Sequence, residues 1–169
     1  TGVARELHAS EPLFRDAFAR CSVPLAALDT DEGRFAIQFA WAELWNAWGI
    51  RPSVVSGHGV GEYVAACVAG VISVADALRL VAARSDADAL RAALQDMPLA
   101  RPSVRLISGC LGAEVTDEVT HPQYWLQLAE LSNRPEAQAN AQAEAPPAPE
   151  GFADGWLPPP CAGDALERA

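Results

Sequence analysis

Residues 52–84 read PSVVSGHGVGEYVAACVAGVISVADALRLVAAR, and the turn inside them decides the fold. After Pro52, the short run Ser53-Val54-Val55-Ser56 reads as a buried strand. Gly57-His58-Gly59-Val60-Gly61 follows at once, and a helix then runs from Glu62 to Ala69 and closes at Gly70. Ser73-Val74-Ala75-Asp76 has capping-box character and opens another helix that reaches Arg84. A strand that turns through G-x-x-x-G straight into a helix is the setting of a nucleophile elbow. Such a turn lifts one residue off the sheet, and its glycines let strand and helix approach closely. The helix N-terminus and the backbone N–H after the apex then stabilise a developing oxyanion. Here the apex is Gly59, which has no hydroxyl.

Outward from the turn, helices alternate with apolar runs. Ser10 reads as the cap of a first helix, with Glu11 and Pro12 in its first turn. Leu13, Phe14, Ala17, Phe18 and Cys21 then share one face. A second helix spans Arg34 to Trp48 and ends at Gly49; it is apolar almost all round and belongs in a core. Trp41, Trp45 and Trp48 form one stripe on it, read as packing rather than as a cofactor or partner face, and as sticky surface where a missing subdomain leaves it uncovered. Downstream come a helical stretch from Asp86 to Gln95 and a second strand, Val104 to Ser108, ending in Gly109. A short element starts near Thr116 and leads into Tyr124–Leu131, where Tyr124 and Trp125 read as packing anchors. Two strands alternating with helices predict an α/β fold with a short parallel sheet flanked by helices.

Composition narrows the function classes. The 169 residues carry 22 acidic and 12 basic side chains, a net charge of −10, and every basic one is Arg. An acidic, Lys-free chain lacks the cationic footprint of a nucleic-acid or anionic-membrane binder. Cys21, Cys67, Cys110 and Cys161 form no C-x-x-C pair, which argues against a zinc site or a disulfide framework and for a reducing, cytoplasmic setting. No signal peptide is visible, and the most apolar run, Tyr63 to Ile72, is too short to span a bilayer. No cofactor is expected: the acidic residue a dinucleotide fold needs after a following strand is not evident. Asp86, Asp88 and Asp96 read as a solvated face, not as metal ligands. Residues 1–131 are the expected domain. Residues 132–169 hold seven of the 13 prolines and the run Ala137–Ala145, and read as an acidic linker or disordered tail. Phe152, Trp156 and Leu157 are its only candidate docking patch.

Residues 52–84 resemble the acyltransferase domain of modular polyketide synthases, whose pattern is G-H-S-x-G-E-x-A-A followed by a helix ending in A-A-R-G-R. Three further stretches are similar to that family in the right order: ARELHASEPLFRDAFARC at 4–21, FAIQFAWAELWNAWGIRP at 35–52 and VRLISGCLGAEVTDEVTHPQYW at 104–125. The resemblance implies a truncated α/β-hydrolase-like acyltransferase core. It also implies acyl transfer from coenzyme A, through a Ser acyl-enzyme, to an acyl carrier protein. Gly57, His58, Gly59, Val60 and Gly61 are then the substrate-binding positions, with Val60 leaning towards malonyl selection.

The departures concern chemistry. Gly59 stands where the family has its nucleophilic Ser. The family's Arg for the malonyl carboxylate follows A-A-R-G, whereas Ala82-Ala83-Arg84 here leads into Ser85-Asp86. The family's ferredoxin-like subdomain, which carries the catalytic His, has no room in the roughly twenty residues between Arg84 and Val104. His8 and His121 lie in other motifs. The family's N-terminal strand and G-Q-G loop would precede Thr1. Neither Ser56 nor Cys67 sits at the raised position. Transfer through a covalent intermediate needs a nucleophile with a base in reach. The expectation is therefore an inactive acyltransferase-like domain with acyl-CoA binding weak or absent. The acyl carrier protein or other synthase domains are its partners by resemblance. The alternatives are a non-catalytic docking module and a non-functional gene remnant.

Overall fold

The computed structural model describes residues 2–132. The tail read from sequence at 132–169, with Phe152, Trp156 and Leu157, lies outside the described residues apart from Ser132, which still belongs to the last helix.

The elements are α1 (Gly2–Ser10), α2 (Pro12–Ala19), α3 (Asp31–Ala47), β1 (Val54–Gly57), α4 (Val60–Val68), α5 (Val74–Ala83), α6 (Ala87–Leu94), β2 (Arg105–Ser108), β3 (Ala113–Val115) and α7 (Pro122–Ser132). The expected strands pair in parallel, Val55 opposite Leu106 and Gly57 opposite Ser108. A third strand, β3, joins β2 antiparallel, with Leu106 opposite Val115, so the sheet order is β1-β2-β3. Sequence periodicity missed β3 because it is three residues long and buries only Val115.

Local chemistry explains the helix ends. The residue expected to cap α2, Ser10, instead ends α1, and its hydroxyl donates to the Glu6 carbonyl at 2.8 Å. Glu11 is the N-cap of α2, and Pro12 opens that helix. α3 starts three residues earlier than expected because Thr30 caps it, accepting from Gly33 N–H at 3.1 Å, with Asp31 and Glu32 in the first turn. Ser73 caps α5 as expected, accepting from Asp76 N–H. α4 ends in a Schellman motif: Val71 N–H reaches the Ala66 carbonyl at 2.9 Å, and Gly70 takes φ +77°.

The core is built around α3 and α4. Phe14, Phe35, Leu44, Tyr63, Leu80 and Trp125 are fully buried. Phe14 of α2 meets Trp41 of α3 edge-on at 6.0 Å, and Tyr63 of α4 lies 5.7 Å from Trp125 of α7. The tryptophan stripe of α3 is only partly core: Trp41 and Trp48 are half-buried, while Trp45 is 51% exposed.

The connection from α5 to β2 contains α6 and no strand. It is stitched directly to the end of α4: Ala100 N–H donates to the Val71 carbonyl, and both the N–H and hydroxyl of Ser103 donate to the Ala69 carbonyl. The shortcut is thus a hydrogen-bonded part of this fold. The ferredoxin-like subdomain has no counterpart between Arg84 and Val104.

Candidate functional site

β1 ends at Gly57 and α4 begins at Val60, so His58 and Gly59 alone make the turn. Gly59 is the N-cap of α4, with φ +56° and ψ −120°. An L side chain held in that region stores about 1–3 kcal/mol of strain, which Gly does not carry. A Cβ placed on Gly59 would meet nothing within 4 Å. The backbone therefore still raises residue 59 into open space, as an elbow does for a nucleophile. Gly57 is the opposite case. A Cβ there would lie 2.1 Å from the Gly61 carbonyl oxygen, and one on Gly109 would lie 2.3 Å from the Gly57 oxygen. Two parallel strands and a helix thus meet backbone to backbone.

Of the five positions proposed from sequence, Gly57 closes β1, His58 is exposed and Gly59 caps α4. Val60 is buried at the start of the helix, and Gly61 packs towards Gln38. Gly57, His58 and Gly61 border an open groove of about 990 Å3 that runs beside β1 to Trp41 and Trp45 of α3. Gly59 and Val60 do not line it.

Glu62 was not picked out from the sequence. It is 2% exposed, and one carboxylate oxygen accepts from the Ser108 hydroxyl and from Cys110 N–H, both at 2.9 Å. This ties the first turn of α4 to the turn after β2. The signal was a lone carboxylate among Val60, Tyr63, Val64, Ala65 and Ala66, all buried. Burial raises the Glu62 carboxyl above its ordinary 4.5, and the Cys110 and Ser108 hydrogen bonds offset this only in part. A carboxyl raised on folding binds its proton more tightly in the folded chain. Its stability contribution is complete below about 4.5 and declines as pH rises through the folded value. Glu62→Gln removes that decline while keeping an acceptor for Cys110 N–H. In urea unfolding, the substituted chain should gain on the native one as pH rises from acid to neutral. A gap that stays constant with pH would contradict this role.

The other candidates fall out clearly. Ser56 is exposed on β1, paired opposite Ile107, and does not occupy the apex. Burial pushes the Cys67 thiol up to about 12 and the Cys21 thiol up to about 11, as expected for inert packing thiols. Arg84 caps the end of α5 and pairs with Asp31 at 2.8 Å. Asp86 is the N-cap of α6, accepting from Asp88 and Ala89 N–H, and Asp86, Asp88 and Asp96 are all exposed. Among the described residues no His/Cys/Asp/Glu group could hold a metal ion, and no helix is long and apolar enough to cross a membrane. Cys110 has its Sγ 3.9 Å from His58 Nδ1 and 3.5 Å from Ser132 Oγ. Sequence reading did not bring these together, because 51 residues separate His58 from Cys110 and only the β1–β2 register joins them.

An elbow at the C-terminal end of a parallel strand pair, leading into a buried helix, places the chain among the α/β folds built around a nucleophile elbow. Residues 29–97 match the acyl transferase domain family. The chain is 32% identical over 156 residues to a spectinabilin polyketide synthase system protein of Streptomyces orinoci, covering 80% of this chain and 7% of that protein. It is 40% identical over 89 residues to an atrochrysone carboxylic acid synthase of Calonarius odorifer, covering 50% of this chain and 5% of that one. The fold matches the acyltransferase domain from the second module of the salinomycin polyketide synthase, with a TM-score of 0.63 at 22% identity. That match covers 74% of this chain and 53% of the other. The acyl transferase domain of ZmaA matches with a TM-score of 0.64 at 19% identity, covering 75% and 54%. The chain is thus similar to the acyltransferase domains of polyketide synthases, in sequence over residues 29–97 and in fold over about three quarters of its length. It spans a small fraction of the length of the synthases it matches and about half of the solved acyltransferase domains.

Proposed function

We propose that this acyltransferase-like domain does not carry out the family's serine-ester transfer of acyl groups from coenzyme A to an acyl carrier protein. One observation carries the reading: the elbow keeps its raised backbone, and the residue at its apex is Gly59. Without an apical hydroxyl there is no oxygen to acylate at the elbow, and among the described residues no imidazole is hydrogen-bonded into a base role at that point. What remains is a turn in which the Gly61 and Glu62 N–H groups donate to the His58 and Gly59 carbonyls, and the Val60 N–H, one residue after the apex, is left to face an acyl carbonyl. Gly57, His58, Gly59, Val60 and Gly61 are the positions that would meet it, and the partner by family is an acyl carrier protein. The test is carrier loading. Labelled malonyl-CoA and a phosphopantetheinylated carrier protein should give no loading above the enzyme-free blank. Loading that depends on this chain and persists when Cys110 is replaced by Ala overturns the reading.

A docking role is favoured by a separate observation. Among the described residues β1 lies at the edge of the sheet, and Trp45, Ile50 and Val54 are exposed along the adjoining groove at 51%, 53% and 38%. Edges and apolar surface of that kind are where another chain adds. In that reading the domain holds a neighbouring synthase segment rather than reacting.

A further inference from the structure

Beside the empty apex stands a different nucleophile. β1 and β2 run parallel with Gly57 opposite Ser108, and the same register carried one residue on sets Gly109 beside His58. Cys110 therefore leaves the sheet next to the elbow, at the strand ends where α/β folds place their ligands. Its half-buried Sγ faces His58 Nδ1 at 3.9 Å and Ser132 Oγ at 3.5 Å, and its N–H is fixed by the buried Glu62. At 3.9 Å the pair stands within reach of a sulfur hydrogen bond, with the His58 ring exposed beside the thiol.

We propose that Cys110 and His58 form a thiol–imidazole pair that accepts one acyl group from an acyl thioester bound at the elbow. This rests on the reading that the elbow still presents the Val60 N–H to an acyl carbonyl. It adds a covalent acceptor that the serine route does not use. His58 takes the Cys110 proton, and the thiolate adds to the thioester carbonyl. The tetrahedral oxyanion is met by the Val60 N–H at the start of α4, the Gly61 and Glu62 N–H groups being bonded to the His58 and Gly59 carbonyls. The carbonyl re-forms as the C–S bond to coenzyme A breaks, and His58 returns the proton to the departing thiolate. One thioester and one thiol become one thioester and one thiol, so no oxidant or further reactant is needed.

The experiment is intact-mass spectrometry of the full chain with malonyl-CoA, followed by peptide mapping. It uses the native chain, Cys110→Ala and His58→Gln, each checked for a native circular-dichroism spectrum. The expected result is a single malonyl adduct on the native chain that maps to Cys110 and is released by neutral hydroxylamine, as thioesters are. Cys110→Ala should carry none. His58→Gln should acquire it about a hundredfold more slowly, while cysteine alkylation under denaturing conditions stays unchanged. No adduct on the native chain overturns the inference, as does one that maps to Cys21, Cys67 or Cys161. An adduct that forms equally fast in His58→Gln removes the imidazole from it. Carrier loading by the native chain that persists in Cys110→Ala would instead overturn the proposed function, so the two failures are separable.

Discussion

Gly57→Ala should abolish the cooperative fold of residues 2–132 or lower its stability by at least about 3 kcal/mol. The added methyl would sit 2.1 Å from the Gly61 oxygen, 2.2 Å from the Gly61 carbonyl carbon and 2.5 Å from Glu62 N. All three are backbone atoms, so no rotamer change relieves the clash. Either β1 or α4 must move, and moving α4 takes Glu62 from its hydrogen bonds to Ser108 and Cys110. Folded domains are stable by only about 5–15 kcal/mol, so the loss is visible in a thermal melt. A melting temperature within a few degrees of native would mean that strand and helix are not in backbone contact.

The second large effect is expected at Trp125. Its ring is 1% exposed, lies 5.7 Å from Tyr63 and 5.3 Å from Tyr124, and its indole N–H donates to the Val119 carbonyl at 3.0 Å. Trp125→Ala should cost about 3–5 kcal/mol, through lost burial and the cavity left behind. Trp125→Phe keeps most of the packing but leaves the Val119 carbonyl without its donor, at about 1–3 kcal/mol. Chemical denaturation of the three chains should rank them native, Phe, Ala. An Ala variant as stable as the native chain would mean that α7 does not anchor the elbow helix.

The elbow was legible because its signal is local. Two glycines, a strand before and an apolar helix after define it within residues 53–70. The parallel pairing of β1 and β2 was legible for a similar reason, since both are β-branched runs closed by glycine. β3 was not, because a three-residue strand with one buried side chain has no period to read. The start of α3 was missed because Thr30, its cap, stands four residues before the first residue assigned to the helix. Trp45 was placed in the core by its spacing, yet spacing fixes a face of the helix and not what covers that face. The roles of Glu62 and Cys110 depend on β2 lying beside β1, a long-range pairing that neither local sequence contains. The sequence did foretell the chemical gap at Gly59, and the backbone there supplies what sequence could not: a φ of +56° with open space above it.

The most direct test of that claim is to restore the missing hydroxyl. Gly59→Ser in a Cys110→Ala background should be incubated with malonyl-CoA beside Cys110→Ala alone, then analysed by intact mass and peptide mapping. The substitution costs about 1–3 kcal/mol of backbone strain, so folding is checked first. An oxyanion hole alone leaves about 10³–10⁴-fold acceleration over water, enough for slow acylation without a catalytic His. The predicted result is an adduct that resists neutral hydroxylamine, maps to position 59 and forms only on the substituted chain. A hydroxylamine-resistant adduct on the chain that keeps Gly59, or none on a folded Gly59→Ser chain, would contradict an elbow intact but for its nucleophile.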